Sequence, residues 1–139
     1  MAETKPAILF VCLGNICRSP MAEGLARLRF EEAGIEADIE SAGIGNWHQG
    51  DPPDRRAINA AWKFLVDISA NRARQIQSAD FDRFDYIIAM DDDNIAALEG
   101  LADQQNMSKI CLLLDFSDLA ERQITDPYYG GHSGFDQVL

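Results

Sequence analysis

An α/β fold, with a parallel sheet and helices on both faces, is predicted by two features of this 139-residue sequence. Three short apolar runs rich in strand formers and one alternating segment punctuate the chain, and segments with apolar residues at helical spacing lie between them. Strands that alternate with helices assemble as a parallel sheet covered on both sides, a single three-layer domain at this chain length. In such sheets ligands bind outside the carboxyl ends of the strands. That end of the first strand is therefore the place to look for chemistry.

The first run, AILFVCL at residues 7–13, is a buried strand. SPMAEGLARLRFEEAG at 19–34 is a helix, with Ser19 as its cap, Pro20 in its first turn and Gly34 as its stop. Met21, Leu25 and Leu28, with Ala22, Ala26 and Phe30, give it an apolar face. IEADIESAG at 35–43 is a second strand, followed by the turn-rich loop NWHQGDPPD. DRRAINAAWKFL is a helix capped by Asp54, and ANRARQI is read as a short helical segment. DYIIAMD is the third strand, DDNIAALEGLADQQ a helix with acid in its first turn, and KICLLLDF the fourth strand. The remainder, to ITDPYYGGHSG, is mostly loop.

Composition narrows the function classes. A formal net charge of −11 repels nucleic acid and anionic membranes, so an anionic substrate has to be drawn in by a local site. No apolar run is long enough to span a bilayer and the N-terminus has no secretory pattern. Three cysteines cannot all pair, which fits a reducing, cytoplasmic compartment. The run Asp91 to Asp93 is read as helix capping and solvation, so no metal or cofactor is expected, and Cys111 is read as core.

The stretch VCLGNICRSPMAEG carries the chemistry. Between a strand end and a helix start, the backbone N–H groups of Leu13, Gly14, Asn15, Ile16, Cys17, Arg18 and Ser19 form an anion nest. The helix N-terminus adds its unsatisfied donors and positive dipole. Gly14 allows close backbone approach, Asn15 tolerates a left-handed conformation, and Arg18 offers a planar fork for two phosphate oxygens. Cys12 lies in the same positive field, which favours the thiolate, a nucleophile aimed at bound phosphorus. A strand-end cysteine or a helical arginine alone is ordinary; the whole octet in its strand-to-helix setting is not. The Gly-Lys-Ser/Thr of a nucleotide-triphosphate loop is missing. Phosphoryl transfer to sulfur also needs an acid for the departing oxygen. Asp126 in TDPYYGG is the candidate, with Tyr128 and Tyr129 beside it and Trp47 in the second loop as walls of an aromatic cleft.

This stretch resembles the signature of the low-molecular-weight protein tyrosine phosphatases. The likeness continues through SAGIGNWHQGDPPDRRA, ARQI, FDYIIAMDDDN and TDPYYGG, over nearly the whole chain. It implies a sheet of strand order 2-1-3-4 and hydrolysis of aryl phosphate monoesters through a cysteinyl-phosphate. It makes Cys12 the nucleophile, Arg18 the phosphate clamp, Ser19 the aid to the thiolate leaving group and Asp126 the general acid. It also makes Cys17 the partner of Cys12 in a reversible protective disulfide. The implied partners are phosphotyrosine proteins, with inorganic phosphate as product and inhibitor, and a monomer or weak dimer is expected. Two features depart from the family pattern. Asn71 stands where the family usually has a histidine that supports the loop together with Asn15 and Ser41. The chain also stops at FDQVL, where the family continues into a final helix, whose loss would expose apolar surface.

Three alternatives use the same loop. An arsenate reductase needs further relay cysteines, and only Cys111 is on offer. A protein-arginine phosphatase carries threonine where this chain has Ile16. An idle phosphotyrosine-binding module has no need of intact Cys12, Arg18 and Asp126 together.

Overall fold

The computed structural model describes residues 6–14, 18–45, 49–102 and 104–113. Its sheet has four parallel strands, β1 (Ala7–Cys12), β2 (Asp38–Gly43), β3 (Tyr86–Ala89) and β4 (Ile110–Leu112), in the order β2-β1-β3-β4. Four α-helices accompany them: α1 (Arg18–Glu32), α2 (Arg55–Trp62), α3 (Ser78–Arg83) and α4 (Asp92–Leu101). A 3₁₀ segment, Gln104–Lys109, leads into β4.

β1 is central and all six of its residues are buried, which explains its unbroken apolar run. Alternation along it divides the core in two. Leu9 and Val11 pack with Phe81 of α3, Leu98 of α4, and Ile87 and Leu112 of the sheet. Ile8, Phe10 and Cys12 pack on the other face with Ile88 and Met90, under Ala22, Ala26 and Phe30 of α1. This gives the three layers the sequence predicts. A third cluster, built on Met21, Ala57, Ala60, Ala61, Val66 and Ile68, fastens α2 to α1.

Local signals account for most helix ends. Asp54 caps α2, its carboxylate accepting from the Arg56 N–H at 2.8 Å. α1 stops at Gly34, whose φ of +71° suits glycine, while Ile35 N–H reaches back to the Phe30 carbonyl. α2 ends in the same motif, with Val66 N–H on the Ala61 carbonyl and Leu65 N–H on that of Trp62, but the left-handed position is held by Leu65 at φ +62°.

Three expectations are corrected. Ser19 is not a cap: α1 begins at Arg18, and the Ser19 hydroxyl is turned to the end of β1. The ANRARQI segment is not helical; it lies along the end of β2 through a parallel bridge between Gly43 and Gln75, with Ala73 and Ile76 buried. α3 was not anticipated; six residues are too short to show a period, and its start is held by a reciprocal capping box between Gln77 and Asp80.

Gly24 is required by space. A β-carbon there would stand 2.7 Å from both Val66 Cγ1 and Ile68 Cγ2. Both are buried β-branched side chains with little rotamer freedom. Alanine normally gains about 1 kcal/mol over glycine inside a helix. Here that gain is opposed by overpacking worth about 1–3 kcal/mol. Gly24→Ala is therefore expected to lower the urea midpoint of unfolding, and a raised midpoint would show that α1 and the 66–68 segment are not in tight register.

Candidate active site

β1 ends at Cys12, the last residue of its pairing with β2, where it faces Gly43. The chain then turns, and α1 opens with Arg18 and Ser19. Cys12, Arg18 and Ser19 are each no more than 1% exposed. Burial of two polar residues at a helix start demands partners. The Ser19 hydroxyl lies 3.0 Å from Cys12 Sγ and 3.5 Å from the Ala42 carbonyl oxygen, which accepts from it.

Arg18 donates from Nη1 to Asp91 Oδ2 at 2.5 Å. The other oxygen of Asp91 accepts from the Asn94 N–H at 2.8 Å and so caps α4. One carboxylate thus holds a helix start and orients a buried guanidinium. The acidic run was rightly read as capping, but the grip of Asp91 on Arg18 was not foreseen, because 73 positions separate the two residues.

The loop after β2 braces the loop after β1. Ile44 N–H donates to the Cys12 carbonyl and Gly45 N–H to that of Leu13, both at 3.0 Å. A polar cavity of about 200 Å³ is lined by Glu23, Glu40, Ser41, Asn71, Arg72 and Arg74. Ser41 and Asn71, the expected loop supports, therefore share one cavity. The Ser41 hydroxyl donates to Glu23 Oε1 at 2.6 Å, and the buried Asn71 Nδ2 has no acceptor among the described residues. Glu23 was not anticipated. It sits one turn of α1 beyond Ser19, on the same side of the helix, and accepts from Arg27 as well. Arg27 in turn donates to the Ile39 carbonyl, so α1 is tied to the edge strand at two points.

Leu13 and Gly14 belong to the described part of the loop, with Leu13 45% exposed. Asn15, Ile16, Cys17, Trp47, Asp126, Tyr128 and Tyr129 lie outside the described residues. Cys111 is half-buried on β4 and packs against the cluster of Ile8 and Phe10, consistent with a packing role. Among the described residues, no group of three or more His, Cys, Asp or Glu is placed to hold a metal ion, and no helix is long and apolar enough to cross a membrane.

A buried cysteine at a strand end, followed six positions later by a buried arginine and serine at a helix start, is the same unit read in the sequence. The profile described as low molecular weight phosphotyrosine protein phosphatase matches residues 7–139. The chain belongs to this family. Among family relatives, the low molecular weight protein-tyrosine-phosphatase YfkJ of Bacillus subtilis is 46% identical over 137 residues, covering 95% of this chain and 85% of its own. The crystal structure of a protein tyrosine phosphatase from Entamoeba histolytica, with Hepes in its active site, superposes with a TM-score of 0.92 at 36% identity. That match covers 96% of this chain and 87% of the other. Vibrio vulnificus Wzb, solved in complex with benzylphosphonate, has a TM-score of 0.86 at 29% identity over 97% of this chain and 90% of its own. The family fold and the sheet order β2-β1-β3-β4 agree with what the sequence resemblance implied.

Proposed function

We propose that this phosphatase hydrolyses phosphotyrosine in proteins or peptides through a phosphocysteine at Cys12. The observation that carries the reading is the buried cluster of Cys12, Ser19 and Arg18 at the carboxyl end of β1, with Sγ and the Ser19 hydroxyl 3.0 Å apart. The benzylphosphonate complex of Wzb supports a benzylic or aryl group as the part of the ligand beyond phosphorus.

In this mechanism the phosphate sits in the nest, and the Arg18 fork takes two of its oxygens. The Cys12 thiolate attacks phosphorus, the S–P bond forms, and the P–O bond to the tyrosyl oxygen breaks. Asp126 delivers a proton to that oxygen. Water then attacks phosphorus, Asp126 takes its proton, and the S–P electron pair returns to sulfur. Once Cys12 is a thiolate, the Ser19 hydroxyl turns its one proton from the Ala42 carbonyl to the sulfur and stabilises the thiolate at both ends of the cycle. Of the alternatives, arsenate reduction is the least supported, since Cys111 is packed on β4 against the sheet.

Substrate choice follows from reach. A tyrosyl phosphate stands further from its backbone than a seryl one, so a cleft walled by Trp47, Tyr128 and Tyr129 selects it. Ile16 offers no polar partner to a desolvated guanidinium. The expected ranking of kcat/KM is phosphotyrosine far above phosphoserine and phosphoarginine in otherwise identical peptides. Equal efficiencies would sink the cleft reading.

Asp91 gives a second test. It is a carboxylate paired with the buried guanidinium of Arg18. Removing one partner of a buried pair costs about 3 kcal/mol or more, because the remaining charge is left in low dielectric. A bound phosphate supplies a new counter-charge. Asp91→Ala is therefore expected to melt well below the parent protein without ligand and to recover much of the loss in saturating vanadate or phosphate. Equal anion-induced shifts of Tm in the two proteins would mean that Arg18 does not meet the anion.

A further inference from the structure

Asn94 is a polar side chain buried in the first turn of α4, only 3% exposed. Asparagine is a mediocre helix former and loses its hydration when buried, so its bonds have to account for its place. Its own N–H donates to Asp91 Oδ1 at 2.8 Å, and its Oδ1 accepts from the Met90 N–H at 3.3 Å. The sheet pairing of β3 ends at Ala89, so the Met90 N–H has left the ladder and is met by this side chain. The pattern is a capping box with one change. In the usual box a Glu or Gln three positions after the cap reaches back to the cap residue's own N–H. Asn94 bonds the residue before the cap.

The two bonds meet the candidate site from behind. Asp91 gives its Oδ2 to Arg18 and its Oδ1 to Asn94, so its carboxylate is held from both sides. Met90 is 1% exposed and packs in the same cluster as Cys12. The cap of α4 does not explain the side chain at position 94, because the main-chain N–H that Asp91 accepts is supplied by any residue there. What the Asn94 side chain adds is the anchor on Met90, and hence the angle at which the next residue, Asp91, presents its second oxygen to Arg18.

We infer that Asn94 is a positioning residue for phosphoryl transfer: by fixing the Met90–Asp91 turn it aims the Arg18 guanidinium at the phosphate. The inference rests on the reading of Arg18 as the phosphate clamp. A planar fork that meets two oxygens at once is sensitive to its angle, whereas a point charge is not.

Calorimetric titration of inorganic phosphate into two variants tests it. Asn94→Ala deletes the acceptor for Met90. Asn94→Gln has the reach to close the ordinary capping box on the Asp91 N–H, so α4 keeps its start while Met90 loses its anchor. Both are expected to bind phosphate about tenfold more weakly than the parent, the effect of one lost hydrogen bond to a charged group. In an Asp91→Ala background, Asn94→Ala should add no further loss of affinity, because the residue it acts through is gone. Parent-like phosphate affinity in the Asn94→Gln protein overturns the inference, and so does an Asn94→Ala loss that persists undiminished in the Asp91→Ala background. A lowered Tm with unchanged affinity makes Asn94 a helix-capping residue and nothing more. Arg18→Met separates this inference from the clamp reading. If Arg18→Met leaves phosphate affinity intact, Arg18 is not the clamp and both fall; if it lowers affinity while the Asn94 variants do not, the Asn94 inference alone falls.

Discussion

Cys12→Ser is expected to abolish turnover of phosphotyrosine peptides, by roughly 10⁴–10⁶-fold as when other enzymes lose their nucleophile, while phosphate and vanadate still bind. The two halves of this result have separate causes. Turnover requires the S–P bond, and a serine hydroxyl at the same point is a far weaker nucleophile without an adjacent base. Binding requires donors, which the nest reading assigns to the loop backbone, the start of α1 and Arg18. Arg18 is oriented from outside the loop by Asp91, so replacing sulfur with oxygen leaves its support in place. The Ser19 hydroxyl, 3.0 Å from Sγ, keeps a hydrogen-bond partner in the variant. The measurement is calorimetric titration of vanadate into the folded Cys12→Ser protein. If anion affinity disappears along with turnover, the site depends on the thiolate itself and the nest reading is wrong.

What could be read beforehand follows the range of the interactions concerned. β1 was legible because a central strand buried on both faces has to be apolar throughout. Gly34 was legible because a glycine after an amphipathic run is a local stop signal. Ser19 was misread for an instructive reason. A serine before a proline has the chemistry of a cap, but its hydroxyl is spent on Cys12 and Ala42. Residues 70–76 have helix-forming composition, yet pairing beside Gly43 and burial of Ala73 and Ile76 outweigh a propensity of a few tenths of a kcal/mol per residue. The support of the site was the least legible part. Cys12, Arg18 and Ser19 lie within eight positions of one another, whereas Asp91 reaches Arg18 across 73 positions and Glu23 reaches Ser41 across 18. No local pattern links such residues.

Asp126→Ala is expected to slow phosphotyrosine cleavage by roughly 10²–10⁴-fold, the range over which a positioned acid acts. The motive is chemical necessity joined to the family resemblance, in which the aspartate of the DPYYG motif is the acid. In the working complex Asp126 has to be protonated while Cys12 is a thiolate. The rate should therefore fall on both sides of a mildly acidic optimum, and the acid-requiring limb should vanish in Asp126→Ala. The size of the effect should depend on the leaving group. A tyrosyl oxygen is basic and needs the proton as the P–O bond breaks, whereas nitrophenolate departs readily without it. The variant should thus lose much more kcat/KM on phosphotyrosine than on nitrophenyl phosphate. The comparison belongs at low substrate, since kcat/KM reports the first chemical step even if hydrolysis of the phosphocysteine limits kcat. If Asp126 is also the base for water in that second step, a product burst should appear in the variant with nitrophenyl phosphate. Equal losses of kcat/KM on both substrates would make Asp126 a positioning residue and place the acid elsewhere in the cleft.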